Sequence, residues 1–182
     1  MQTPIPQEST VAEKKPRNYA IFYASISIII CVFYIYTLYL TDPNLLFQGW
    51  EGLTWLFFLV QLVALGITMR KQQGGFIEFS QLIKPLFQSF FIAYIFKYIF
   101  VYTLITVMDP QLLELVRAFN IEFIIQQKQD NFTEEMIQQQ IQRASTEEVS
   151  IFDFKGIVLH LVMGFILSLG ISFILKLEKP EY

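Results

Sequence analysis

The sequence predicts an all-α polytopic membrane protein, with four transmembrane helices and an external helical hairpin between spans three and four. Three observations carry this. Hydrophobic residues make up 54% of the chain and charged residues 16%, against about 45–50% and about 25% in soluble domains. The apolar residues are gathered into four long blocks rather than spread at helix or strand period. Each block has roughly the 20 residues a helix needs to cross about 30 Å of hydrocarbon.

Residues 1–18 hold three prolines and the basic cluster Lys14, Lys15 and Arg17 without apolar periodicity, which reads as a flexible cytoplasmic tail. The first span, 19–40, carries no charge and stops at Asp42-Pro43. It is longer than the roughly 7–15 apolar residues of a signal peptide, so it is expected to be retained. The second span, 50–69, opens with Trp50 and Trp55, which favour the interface, and stops at "RKQQGG". The third, 86–108, is entered through Lys84-Pro85, where a helix either starts or kinks. The fourth, 156–175, lies between Lys155 and Lys176. Residues 19–182 thus form one membrane domain.

Between spans three and four, Asp109-Pro110 is placed to cap a new helix, Asp at N-cap and Pro at N1. Leu112, Val116, Phe119 and Phe123 then share one helical face. Thr133-Glu134-Glu135 opens a second helix, with Ile137 and Ile141 on its apolar side. The segment 109–155 holds nine acidic and four basic residues, so a protein partner is expected to meet an acidic surface there. Asn131-Phe132-Thr133 matches a glycosylation sequon, a pattern too frequent by chance to carry weight. Basic residues concentrate at the tail, at Arg70, Lys71 and Lys84, and at Lys176 and Lys179. The positive-inside rule then puts both termini in the cytoplasm.

Inside the spans, Lys97 stands out as the twelfth residue of the third block. A charge at a helix centre costs about 2.5–3.5 kcal/mol, so the side chain is expected to face the bundle or a water-filled cavity, or to be neutral. Thr54, Gln61 and Thr68 recur every seven residues on span two. Counting inward from the block ends puts Gln61 level with Lys97, bracketed by Ser27 and Cys31 on span one and Gly164 and Ser168 on span four. A polar midplane layer of Lys97, Gln61, Tyr94 and Ser168 is therefore expected. Either it binds an anion, a proton or a lipid headgroup, or it fixes helix register. Gly156, His160, Gly164, Ser168 and Ser172 recur every four residues, with Gly156, Gly164, Ser168 and Ser172 forming a small-residue row that permits close helix contact. His160 falls near Glu51 and Asp109 at the outer interface, as a protonation-sensitive cluster or as a histidine bonded to a backbone carbonyl.

No nucleophile elbow, Cys/His pair or acidic metal motif occurs, so neither catalysis nor a cofactor or metal is expected. A lone Cys31 in an apolar run reads as a small buried hydrophobe. Gly74-Gly75 lacks the Lys-Ser/Thr of a phosphate loop and reads as a turn, with Phe76, Ile77 and Phe79 dipping into the interface.

The order of "RKQQGGFIEFSQ", "MDPQLLELV", "FTEEMIQQQIQ" and "LKLEKPEY" resembles domain of unknown function family 4199, four-helix membrane proteins found mostly in Bacteroidota. The likeness covers most of residues 19–182. It departs at Gln81, where a smaller residue is expected, and Lys97 is not a family hallmark. The resemblance implies this architecture and a location in a bacterial inner membrane, but no activity. The expected role is contact with the lipid bilayer or with protein, alone or as a homo-oligomer, without nucleic acid. The alternative is a small transporter or channel subunit using the Lys97 layer, which the absence of a visible repeat between the two halves disfavours.

Overall fold

The structure, a computed structural model, describes residues 16–47, 52–126, 134–146 and 154–176. Helices α1 (Pro16–Thr41), α2 (Gly52–Gln72), α3 (Phe79–Thr103) and α6 (Phe154–Leu175) are long and apolar enough to cross a membrane, the third continuing to Met108. Helices α4 (Leu112–Gln126) and α5 (Glu134–Thr146) pair with each other between α3 and α6. The chain is an all-α polytopic membrane protein.

Helix α3 is the centre of the packing. It contacts α1, α2 and α6, and α2 in turn touches α1 and α6. The buried core between them is built from Phe58, Leu62, Leu65, Leu86 and Phe90, with Ala20, Ala24 and Ala93 letting backbones approach. Large apolar side chains such as Phe22, Phe33, Phe96, Leu159 and Phe173 stay exposed on the outward faces, as helices facing hydrocarbon require.

Helix α3 does not start at Pro85. It begins at Phe79, and Pro85 lies inside it. The missing N–H leaves one carbonyl unpaired, which a helix packed on three sides tolerates. Gln81 explains the early start: its side-chain oxygen accepts the backbone N–H of Glu78 at 3.3 Å, the return bond of a capping box. The preceding turn closes α2 with Gly74 and Gly75 at φ +75° and +94°. The Gly75 N–H reaches the Arg70 carbonyl at 3.0 Å and Gly74 that of Lys71 at 3.3 Å, a Schellman ending that needs glycine. Ile77 is buried in the core rather than dipping into an interface, while Phe76 and Phe79 are half-buried.

A short stretch at the end of α1 recurs at the end of α3. Helix α1 ends as Tyr36-Thr37-Leu38, three residues, then Asp42-Pro43-Asn44-Leu45-Leu46. Helix α3 ends as Tyr102-Thr103-Leu104, four residues, then Asp109-Pro110-Gln111-Leu112-Leu113. The hydrogen bonds repeat as well. Thr37 and Thr103 each donate to the carbonyl four residues back at 2.8 Å. The N–H of Asp42 bonds the Leu38 carbonyl at 3.0 Å, and that of Asp109 bonds Leu104 at 2.9 Å. Each aspartate then accepts the N–H two residues on, from Asn44 at 2.9 Å and Gln111 at 3.1 Å. The extra residue in α3 is absorbed by a π-helical turn, Leu104–Met108.

The two repeated ends pack together. Ile35 on α1, Leu104 and Ile105 in the π turn, and Leu112 on α4 form a second buried cluster. Val116 joins it, and Phe119 meets Phe47 with ring centres 6.3 Å apart. The face foreseen for α4 is thus what docks it. On α5, Ile137 is buried and Ile141 half-buried, as its pattern requires. The Phe123 side chain, Thr133 and the sequon residues Asn131 and Phe132 fall outside the described residues.

Close packing at the centre makes a prediction. A Cβ on Gly164 would collide with the fully buried ring of Phe90, whereas nothing lies near Gly170. Gly164→Ala is expected to cost about 1–3 kcal/mol by overpacking. Gly170→Ala is expected to be neutral or to gain about 0.5–1 kcal/mol from helix propensity. Thermal unfolding of both variants in the same detergent compares them; equal midpoints would contradict the packing.

Candidate functional site

The seven-residue row on α2 faces the helices around it, and each member bonds a different helix position. Thr68 shares a hydrogen bond with the Tyr23 hydroxyl of α1 at 2.7 Å. Gln61 donates from Nε2 to Ser89 of α3 at 2.5 Å. Thr54 accepts from Nζ of Lys97 at 3.3 Å. Lys97 is only 4% exposed, and its ammonium also stands 6.0 Å from the Tyr94 ring centre.

Lys97 therefore faces the bundle interior, as its charge demands, but Gln61 is not its partner. The Gln61 Oε1 is buried without a hydrogen bond, so no Lys97 proton reaches it. The two polar pairs sit two helical turns apart along antiparallel helices. Counting from block ends misplaces them because α3 runs well past the start of α2. Lys97 is level with the first turn of α2, not with its middle.

Ser168 does not join Lys97 either. Its hydroxyl donates to the Gly164 carbonyl at 2.8 Å, and Ser172 donates to Ser168 at 2.7 Å. These i−4 bonds satisfy hydroxyls within α6 itself. The small-residue row is real at Gly164, Ser168 and Ser172, which are buried; Gly156 is half-buried.

His160 is bonded to a backbone carbonyl, the second of the two readings its position allowed. Its Nδ1 lies 2.6 Å from the Gly156 carbonyl, which can only accept, so Nδ1 carries the proton. The imidazole stacks on Trp55 at 5.5 Å and on Tyr94 at 5.6 Å. Phe90 stacks on Tyr94 and on Trp55, each at 5.8 Å, closing a four-ring aromatic cluster across α2, α3 and α6. Aromatics four residues apart on α3 carried a signal for this cluster that apolar-run reading does not use.

Asp109 is not beside His160 in any bond. Its Oδ2 accepts the Tyr39 hydroxyl at 3.1 Å, tying the ends of α1 and α3, while Oδ1 caps Gln111. Glu51, the third member of the expected cluster, lies outside the described residues. Among the described residues no group of three His, Cys, Asp or Glu side chains is placed to hold a metal.

What Lys97 does have is a cavity. A space of about 100 Å³, partly open, lies between α1 and α3 where the two repeated ends meet. Tyr34, Ile35 and Leu38 line one side, Lys97, Val101, Leu104 and Ile105 the other, with Leu46 and Phe47 at the end. Cys31, fully buried on α1, lies within electrostatic reach of the same lysine.

Residues 18–177 match the model of a family described as protein of unknown function, DUF4199. The chain belongs to this family. No curated protein and no solved structure matches it. DUF4199 membership fits the four spans and assigns no residue a role, so the site rests on its own geometry.

The pairing can be measured by double-mutant cycles. Thr54→Val with Lys97→Met is expected to show a coupling of about 0.5–3 kcal/mol, the range for residues in contact. Gln61→Met with Lys97→Met is expected to add within about 0.3–0.5 kcal/mol. The reverse pattern in detergent unfolding would restore Gln61 as the partner.

Proposed function

We propose that the protein is a non-catalytic integral membrane protein of the bacterial inner membrane that works through contacts with protein and lipid. Its docking element is the α4–α5 hairpin, held on the outer side, with both termini in the cytoplasm. The observation that carries this reading is the way the hairpin is anchored. Leu112 is buried against Ile35 and the π turn, with Val116 packed on the same cluster, so α4 is fixed on the helix ends rather than tethered by a linker. The opposite faces are left to solvent: Glu122 on α4, and Glu134, Glu135, Gln138, Gln139 and Gln140 on α5. A rigidly held, acidic and glutamine-rich surface suits a partner carrying basic groups.

The spans support the same reading. Their polar side chains join helices in separate pairs, Tyr23 with Thr68, Gln61 with Ser89 and Lys97 with Thr54. That arrangement serves assembly, and the exposed apolar side chains serve contact with lipid. The transport alternative needs Lys97 to open to water from both sides.

Two measurements test this proposal. In a Cys31→Ser background, a membrane-impermeant maleimide is expected to label Gln139→Cys in intact spheroplasts and Lys71→Cys only after lysis. The opposite labelling would invert the topology. A photo-crosslinking amino acid at Gln139 is expected to trap a discrete protein adduct in native membranes, lost in high salt. Crosslinking to lipid alone would remove the hairpin as the docking element.

A further inference from the structure

We propose that the turn between α2 and α3 is a binding site for the phosphate of an anionic phospholipid such as phosphatidylglycerol. The guanidinium of Arg70 receives the phosphate, Lys71 adds a second positive charge, and an acyl chain lies along the outward face of α2. The inference deepens the lipid contacts of the proposed function and rests on that part of it alone. The hairpin and the topology do not enter it, so its failure would leave both untouched.

The Arg70 side chain is held by its own turn. Arg70 and Gly75 exchange two hydrogen bonds: the Gly75 N–H donates to the Arg70 carbonyl at 3.0 Å, and Nε of Arg70 donates back to the Gly75 carbonyl at 2.9 Å. The backbone that presents this carbonyl is the left-handed pair Gly74 and Gly75. One guanidinium donor is thus used to fix a half-buried group. Among the described residues no other hydrogen bond and no ion pair engages Arg70. Its Nη donors are left for an anion that offers paired oxygens, the fork geometry that phosphate matches.

Depth selects the source of the phosphate. Helix α2 has 21 residues, and at about 1.5 Å each these nearly equal the roughly 30 Å of hydrocarbon. Its last turn, with Arg70 and Lys71, therefore stands at the boundary where headgroup phosphates lie. Leu56, Val60, Ile67 and Lys71 follow one another at helical spacing and share one face of α2. The three apolar members are exposed, at 52%, 60% and 39%, as a lipid-facing stripe requires. The stripe ends in an exposed cation with Arg70 beside it. A lipid aligned with the span puts its chain on the stripe and its phosphate on the cations.

Charge favours an anionic lipid over a zwitterionic one. Arg70, Lys71 and, in the second turn of α3, the exposed Lys84 supply three positive charges around the turn. The carboxylate between them, Glu78, accepts the Ser80 hydroxyl at 3.4 Å, and among the described residues no ion pair ties it to the three cations. A choline headgroup brings a cation of its own into this excess, whereas phosphatidylglycerol brings only the phosphate charge.

The test titrates the full chain in detergent with phosphatidylglycerol or phosphatidylcholine of the same acyl chains and reads binding by native mass spectrometry. The first phosphatidylglycerol is expected to bind about tenfold more tightly than the first phosphatidylcholine, and Arg70→Gln to abolish that difference, the loss of a hydrogen bond to a charged group. Arg70→Lys, which keeps the charge but loses the fork, is expected to weaken binding nearly as far. Lys176→Gln removes an equal charge at the end of α6 and is expected to change the affinity by less than about twofold, since a charge away from the site is worth little. Ammonium phosphate in excess is expected to leave the lipid bound. If Arg70→Gln does not fold, Arg70→Lys and the two titrations of the natural sequence decide the matter. Equal losses from Arg70→Gln and Lys176→Gln reduce the site to diffuse attraction and overturn it. Equal affinity for the two lipids overturns the anionic headgroup, and displacement by phosphate makes this a site for a free anion rather than a lipid.

Discussion

The ring of Phe90 stands where a side chain on residue 164 would have to be, and much of the membrane domain follows from that contact. Because Gly164 has no Cβ, α6 comes close enough to α3 for His160 to reach Tyr94 one turn further on. Trp55 of α2 then packs against both His160 and Phe90, which brings the third helix in. Between helices in lipid, association has no hydrophobic drive and depends on van der Waals fit and interhelical hydrogen bonds. A single residue able to admit an aromatic ring is therefore worth more here than the same glycine in a water-soluble core.

Polar groups in the spans obey the complementary constraint. With no water to turn to, each must find a partner on a neighbouring helix or in its own previous turn. The α2 row solves this three times along its length, and the α6 serines solve it within their helix. Gln61 shows the limit of the solution, since its Nε2 is bonded and its Oε1 is not. That residual acceptor is buried beside Ser89, two turns from Lys97, and the antiparallel register keeps the two polar pairs apart.

The parts of this fold legible in the sequence are those that one helix dictates by itself. Uncharged length marks the spans, seven-residue spacing marks the α2 face, and Asp-Pro marks the cap after α3. What was not legible is register between helices. The end of an apolar block records where hydrocarbon-compatible residues stop, not where the neighbouring helix begins. Lys97 counts as central in its own block, yet it meets the first turn of α2 because α3 starts early at the Glu78–Gln81 cap and continues through the π turn. His160 bonds the backbone carbonyl that one of its two readings expected, but the ring stack around it was not legible. Its distance along α6 put it near carboxylates, whereas the close approach at Gly164 puts it among rings.

The repeat escaped notice for a reason that also explains the cavity. One residue inserted into a helix rotates everything beyond it by about 100°, given 3.6 residues per turn. Had α3 remained α-helical, Asp109 would point away from Tyr39 and the Asp-Pro turn would face a different neighbour. The π turn takes up the extra residue in place, so the Asp109 N–H still donates to the carbonyl of Leu104, the residue matching Leu38, and its carboxylate still caps the turn that follows. The matched geometry is kept at the two ends while the wide turn lies between them. The seam is thus pinned at the helix ends by Tyr39–Asp109, and the cavity opens beside Lys97, which is bonded to Thr54 of α2. A simple duplication without the insertion would let α1 and α3 pack like with like along their whole length; the added residue, with a lysine where α1 has Cys31, leaves room beside a charge.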